Sequence, residues 1–305
     1  MIGELEVSLV GLGCNNFGTR CDGDAAKAIV AGCLDTGVTF FDTADVYGNG
    51  ASEEMLGEAL GRNRDEVVIA TKFGLRGIDL GMTGGSPEWI RIAVDRSLRR
   101  LRTDWIDLFQ LHTPDDDTDI DDTLAALHEL VVAGKVREIG CSNFDADRLD
   151  NAIDAAERNN FTPFRSVQNR YSVLHREPEA EVFEVCRNRN VRFLPFFPLE
   201  SGLLARTIGE SGPRPGTRLA EWPEERSADF LTEDKRRRAH RLTQFADTNG
   251  WTLLELSMSY LACRPEIPSI IAGAMSPLQV ALNASSVEWV MSEEVIHEID
   301  DICTT

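Results

Sequence analysis

Four residues of complementary acid–base type stand at or just past runs of buried-strand character. Asp42 follows Val38-Thr39-Phe40-Phe41, Lys72 follows Val67-Val68-Ile69-Ala70 after one threonine, and His112 follows Ile106-Asp107-Leu108-Phe109-Gln110-Leu111. Tyr47 lies in the same loop as Asp42. In a parallel barrel the C-terminal strand ends open onto one mouth, where a carboxylate, a phenol, an ammonium and an imidazole would meet. A lysine at a strand end is costly to desolvate unless paired, and Asp42 is the natural partner. Those two alone read most simply as a structural ion pair. Tyr47 changes the reading. A phenol with a pKa near 10 is a poor acid at neutral pH, and a neighbouring ammonium is expected to lower that pKa. A phenol so tuned can hand its proton to a forming oxyanion, while His112 donates a hydrogen bond to hold or polarise a carbonyl.

A second polar set reads either as turn chemistry or as a cofactor cradle. Ser142-Asn143 and Gln168-Asn169 follow the fifth and sixth strand-like runs, and such residues favour corners in any fold. Gly273-Ala274-Met275-Ser276-Pro277 follows the eighth run and leads into a helix, where barrels commonly bind phosphate. Gly11-Leu12-Gly13 is not a dinucleotide fingerprint, because Asn16 holds the last glycine position and no helix starts there. A nicotinamide cofactor would therefore not be held by a Rossmann unit. His128, His175, His240 and His297 have no neighbour that completes a catalytic pair or metal site, and read as structural. The seven cysteines are odd in number and lack a Cys-x-x-Cys pair, so neither disulfides nor a metal site is expected. Cys14, at a strand end, is the thiol to watch. The aspartates of 115–122 read as a solvated loop and helix start, with the wrong spacing for a calcium loop. Lys235-Arg236-Arg237-Arg238 reads as an exposed helix face.

The elements that must position these groups alternate. Strand-like runs recur at 7–12, 38–41, 67–70, 105–111, 136–141, 165–168, 191–196 and 269–271. Helix-like segments lie between them at 24–35, 52–60, 90–101, 124–132, 145–157 and 178–188. Ser86-Pro87-Glu88 supplies an N-cap with proline at the first helical position, and Gly134 supplies a stop. Eight strands alternating with helices predict one (β/α)8 barrel domain, a TIM barrel spanning 1–305. The alternation breaks at 202–231, a long stretch containing Gly212-Pro213-Arg214-Pro215-Gly216 that is predicted to lack regular structure and to be functional. Extra helices are expected at 233–248, 253–263 and 293–303.

Composition narrows the partners. A net charge of -20 argues against nucleic acid, whose phosphates need a basic surface. No apolar run is long enough to span a bilayer, and residues 1–6 lack a basic segment and a long apolar run, which predicts no secretion signal and a cytoplasmic protein. Only Lys27, Lys72, Lys135 and Lys235 are lysines among 31 basic residues. An acidic, lysine-poor surface suits a halophilic, high-salt cytoplasm, where screening relieves self-repulsion.

The chain resembles the aldo-keto reductase family from about residue 7 to residue 284. The resemblance is carried by Phe41-Asp42-Thr43-Ala44-Asp45-Val46-Tyr47-Gly48, by Ser52-Glu53-Glu54, by Ala70-Thr71-Lys72 and by the segment from Leu98-Arg99-Arg100-Leu101 to His112. Gly140-Cys141-Ser142-Asn143-Phe144, Val167-Gln168-Asn169 and Pro198-Leu199 with Gly202-Leu203-Leu204 resemble its cofactor segments. Gln168-Asn169-Arg170-Tyr171-Ser172 with His175-Arg176 is similar to the bacterial branch that also resembles potassium-channel β-subunits. The resemblance implies NAD(P)H-dependent reduction of an aldehyde or ketone, with Tyr47 as acid, Lys72 and Asp42 tuning it, and His112 orienting the carbonyl. It implies that Ser142, Asn143 and Gln168 hold the cofactor's carboxamide. Phe196, Pro198, Leu199, Gly202, Gly273, Met275, Gln279 and Asn283 are its other expected contacts, under a cofactor-covering loop after strand seven.

Several positions depart from the family pattern. Phe196 stands where a stacking tyrosine is usual. Glu200 stands beside the expected pyrophosphate path and needs a partner, for which Arg206 is the nearby candidate. Met275 and Gln279 stand where relatives often carry basic residues for the adenosine 2′-phosphate, with Arg218 a possible substitute. NADP with modest preference is therefore expected, NAD being possible. The N-terminal hairpin that plugs the barrel bottom is expected to be reduced. Running in reverse, the same site would be an aldose 1-dehydrogenase acting on a sugar. A different class, an NADP-sensing regulatory subunit, has no need of the complete tetrad.

Overall fold

The computed structural model describes residues 1–75, 84–205 and 218–304. Eight parallel strands form the centre: β1 (Val10–Gly13), β2 (Phe40–Asp42), β3 (Val68–Phe73), β4 (Ile106–Leu111), β5 (Val136–Ser142), β6 (Ser166–Arg170), β7 (Arg192–Phe196) and β8 (Ile270–Gly273). They pair in the order β7-β6-β5-β4-β3-β2-β1-β8. At the seam between β7 and β8 the Phe193 N–H donates to the Glu266 carbonyl at 2.9 Å. The result is a (β/α)8 TIM barrel.

Outside it lie α1 (Gly23–Asp35), α2 (Ala51–Leu60), α3 (Pro87–Leu101), α4 (Ile120–Val132), α5 (Ala146–Asn159) and α6 (Val182–Arg189), one after each of β1 to β6. After β7 come α7 (Arg218–Glu221), α8 (Glu224–Ala228), α9 (Glu233–Asn249) and α10 (Leu253–Ala262), and after β8 come α11 (Pro277–Ser285) and α12 (Glu293–Thr304). Local chemistry fixes the starts. Asp22 caps α1, Ser86 caps α3 ahead of Pro87, and Asp119 of the acidic run caps α4. Thr252 and Glu255 form a reciprocal capping box on α10.

Three expectations are corrected. The segment predicted to be structureless carries two short helices, α7 and α8; its residues 206–217, including Gly212–Gly216, lie outside the described residues. The helix expected at 178–188 is divided into a 3-10 turn, Glu177–Glu179, and α6. Lys235 is not on an exposed face: it is half-buried and its ammonium reaches Glu200 at 3.2 Å.

The core has two parts. The larger packs the outer faces of the strands against the helices. The smaller fills the lower barrel with Phe40, Val68, Ala70, Leu108, Leu194 and Ile271. Ile2 and Leu5 join it from a single tight turn closed by reciprocal backbone hydrogen bonds of 2.9 Å. That turn packs against the apolar floor of the barrel. Above this apolar floor the inward positions become polar, and there the site begins.

Candidate active site

β2 delivers Asp42 and β3 delivers Lys72 to adjacent inward positions, both almost fully buried. The Lys72 ammonium donates to both Asp42 oxygens at 2.7 Å and to the Thr43 carbonyl at 2.9 Å. Burial pulls the lysine pKa down, but Asp42 and Tyr47 outweigh it and the net shift is upward, so Lys72 stays a cation. Tyr47 sits in the turn that precedes α2, its ring centroid 5.2 Å from the Lys72 nitrogen and 6.1 Å from that of His112. Gly48, Asn49 and Gly50 behind it all have positive φ, which turns the chain sharply back into α2.

The expected lowering of the Tyr47 pKa is not found. Removal of its hydroxyl from water raises the pKa, and Asp42 adds to this, while the Lys72 ammonium only partly offsets them. Sequence reveals the neighbouring charge but not the desolvation. His112, one residue past β4, is held to a pKa of about 3 by burial and by Lys72, so the imidazole is neutral.

All of Asp42, Tyr47 and His112 line one cavity of about 670 Å³. Lys72 lies beneath its floor, reached through Asp42. Every expected cofactor residue lines the same cavity: Ser142, Asn143, Gln168, Phe196, Pro198, Leu199, Gly202, Arg218, Gly273, Met275, Gln279 and Asn283. The amides are interlocked. Gln168 donates to Asp42 at 2.8 Å, Ser142 donates to the Gln168 carbonyl at 2.7 Å, and the Asn143 amide donates to the His112 carbonyl at 2.9 Å. The two ends of the tetrad are thus tied to the amide set by direct hydrogen bonds.

The loop after β7, part of which lines the cavity, is backbone-strained. Phe197, Glu200 and Ser201 have φ of 53°, 45° and 56°, and Gly202 of 106°. Arg206, the candidate partner, lies outside the described residues; Glu200 is fully buried. Arg170 from β6 takes it at 2.5 Å, Ser172 at 3.0 Å and Lys235 from α9 at 3.2 Å. The Arg170 guanidinium also lies 3.9 Å from the Phe230 ring centroid. Both oxygens of the Glu200 carboxylate are thereby engaged.

Sequence reasoning did not single out Arg20, Phe197, Ser201, Arg226, Leu254 or Leu282, all of which line the cavity. Asn15 and Asn16, which also line the cavity, accept from Arg218 at 2.7 and 2.5 Å. Phe17 and Trp89 are buried in the core and do not line the cavity. Cys14 is fully buried with its thiol pKa pushed up by burial, which makes it inert. Of the four structural histidines, His128 pairs with Thr162, His175 with Glu177 and His240 with Gln244. Among the described residues no cluster of ligand side chains could hold a metal.

The model of the Aldo/keto reductase family matches residues 9–303. The chain belongs to that family. It is 30% identical over 98% of its length to a probable voltage-gated potassium channel subunit beta of Arabidopsis thaliana, covering 93% of that protein. It is 32% identical to the uncharacterized oxidoreductase YrpG of Bacillus subtilis, over 98% of this chain and 93% of that one. It is 31% identical to the norsolorinic acid reductase stcV of Emericella nidulans, over 97% and 78%. Among solved structures it is similar to the glycerol dehydrogenase AKR11B4 from Gluconobacter oxydans, with a TM-score of 0.84 and 28% identity over 98% of this chain and 92% of that one. As an aldo-keto reductase the chain is an oxidoreductase of a family that works with nicotinamide cofactors.

Proposed function

We propose that this aldo-keto reductase reduces an aldehyde or ketone to an alcohol, with Tyr47 as general acid. The observation that carries the reading is the convergence of Asp42, Tyr47 and His112 with twelve expected cofactor residues on one cavity wall. That wall suits a nicotinamide cofactor: amides and a hydroxyl at the floor, two phenylalanines beside them, and a helix N-terminus opposite. Ser142, Asn143 and Gln168 would hold the carboxamide, Phe196 would stack on the ring, and the α11 start with Met275, Gln279 and Asn283 would take the far end. When bound, the reduced nicotinamide supplies the hydride.

The chain's own residues do the rest. His112, neutral, donates a hydrogen bond to the substrate oxygen. Tyr47, protonated because its pKa is raised, delivers its proton to that oxygen as negative charge develops. Lys72 stabilises the phenolate left behind, and Asp42 holds Lys72 in place.

NADP is proposed with only a modest preference over NAD, because α11 contains no basic residue for a 2′-phosphate while Arg218 on the same cavity wall can supply the charge. The oxidative direction, including oxidation of a sugar, is a second reading supported by the likeness to a glycerol dehydrogenase. A Tyr47→Phe variant tests the acid. Turnover of NADPH against a panel of aldehydes and ketones should fall at least about 100-fold, the usual scale of general acid catalysis, while cofactor affinity measured by fluorescence is kept. Full activity in Tyr47→Phe would refute the assignment.

A further inference from the structure

Beneath the cavity floor a row of residues runs on from Lys72, and beyond Lys72 the chemistry above does not use it. Lys72, Gln110, Gly140 and Ser166 are register partners across β3, β4, β5 and β6. Two residues further along their strands, on the same inward face, Gln110, Gly140 and Ser166 are followed by His112, Ser142 and Gln168, all of which line the cavity. Gln110 and Ser166 are fully buried. Yet neither amide atom of Gln110 nor the hydroxyl of Ser166 has a hydrogen-bond partner among the described residues. Gly140 makes a notch between them. A Cβ there would lie 2.4 Å from the Ser166 hydroxyl oxygen and 3.3 Å from the Gln110 Cγ. Buried polar groups left without partners are costly, and such groups are normally satisfied by ordered water.

One more buried atom lacks a partner nearby. His112 turns its Nδ1 into the protein, where it finds no hydrogen bond among the described residues. Gln110 lies two residues before it on the same face of β4. That is a rise of about 6.6 Å, within reach of a glutamine side chain and one water.

We propose that Gln110 is a positioning residue: seated in the Gly140 notch with Ser166, its carboxamide donates through an internal water to Nδ1 of His112 and so fixes the ring nitrogen that carries the proton. With Nδ1 held as an acceptor, a neutral imidazole must carry its proton on Nε2, the form that donates into the cavity. The low pKa of His112 agrees, since the ring stays neutral at working pH. The inference rests on the reductase reading, in which His112 faces the substrate oxygen.

The test is separable from that reading. ¹⁵N–¹H correlation spectra at neutral pH resolve the two ring nitrogens of each of the five histidines, with His112 assigned by a His112→Gln variant. The wild-type protein with its nicotinamide cofactor is expected to show His112 protonated at Nε2, with Nδ1 in the hydrogen-bonded acceptor range. Gln110→Met, close in volume, should keep cofactor affinity, move His112 toward a mixture of tautomers and lower kcat roughly five- to tenfold, the scale of one hydrogen bond. Ser166→Ala should do the same to a smaller extent. A wild-type His112 protonated at Nδ1, or a Gln110→Met protein with wild-type tautomer and kcat, would overturn the proposal. The first of these is read without any variant of Gln110 and without turnover, so it fails independently of the reductase assignment.

Discussion

At the scale of single residues, the site is governed by a contest between burial and charge. Tyr47 shows it: desolvation outweighs the ammonium beside it, so the phenol is held above its ordinary pKa. The carbonyl-reducing rate is therefore expected to stay level through neutral pH and to fall only above about pH 10, where the phenol ionises; a kcat profile from pH 5 to 11 checks this. Asp45, two residues before Tyr47, shows the same contest. Burial, with Glu53 nearby, lifts its pKa from 3.8 to about 7. Between those values the folded protein binds a proton that the unfolded chain releases, so stability falls as pH rises through this window. Asp45→Asn removes the effect. Its melting temperature relative to wild type should climb by about a few degrees from pH 5 to pH 8, and a pH-independent difference would contradict the account. The convergence of Asp42, Tyr47, Lys72 and His112 was legible in the sequence because polar residues closing apolar runs are conspicuous. The sign of the Tyr47 shift was not, because sequence lists charges and does not measure water. Gln110 was overlooked for a related reason. Inside Ile106-Asp107-Leu108-Phe109-Gln110-Leu111 it reads as one more strand position, although its spacing of two from His112 already placed both on one face.

At the scale of elements, the loop after β7 and the helices that follow are held to the barrel by charge rather than by apolar packing alone. Glu200 joins β6 to α9 through Arg170 and Lys235, while Phe197, Trp222 and Phe230 pack beside them. Removing one partner of a buried ion cluster leaves the others uncompensated, at a cost of roughly 3–5 kcal/mol. Glu200→Gln is accordingly expected to lower unfolding free energy by about that amount in denaturant melts, and to speed cofactor release in stopped flow. Strand and helix order were legible, since alternation with caps and glycine stops leaves little freedom. That Arg170 and Lys235 hold Glu200 was not, because they arrive from elements 30 and 35 residues away. Arg20, Arg226, Leu254 and Leu282 escaped for the same reason: their approach to the cavity is set by how distant segments pack.

At the scale of the whole molecule, a net charge of -20 coexists with Arg20, Arg218 and Arg226 at the cavity wall. An acidic surface repels itself at low ionic strength, and salt relieves that repulsion over a Debye length of about 10 Å at 0.1 M. We propose that the protein is adapted to a high-salt cytoplasm. Its melting temperature is expected to rise from 0.1 to 2 M potassium chloride by more than about 5 °C; a flat or falling curve would sink the proposal. Among the described residues no helix is long and apolar enough to cross a membrane.

The order of the site along the chain has a practical consequence. Asp42, Tyr47, Lys72 and His112 all precede α4, whereas all twelve residues expected to cradle the cofactor follow it. The two sets are stitched by the β4–β5 ladder and by the Gln168–Asp42 hydrogen bond. A chain divided in the turn between α4 and β5 would leave the proposed proton donor on one fragment and the proposed nicotinamide seat on the other. Neither half could turn over alone, so the return of activity on mixing would report directly on the two fragments finding each other.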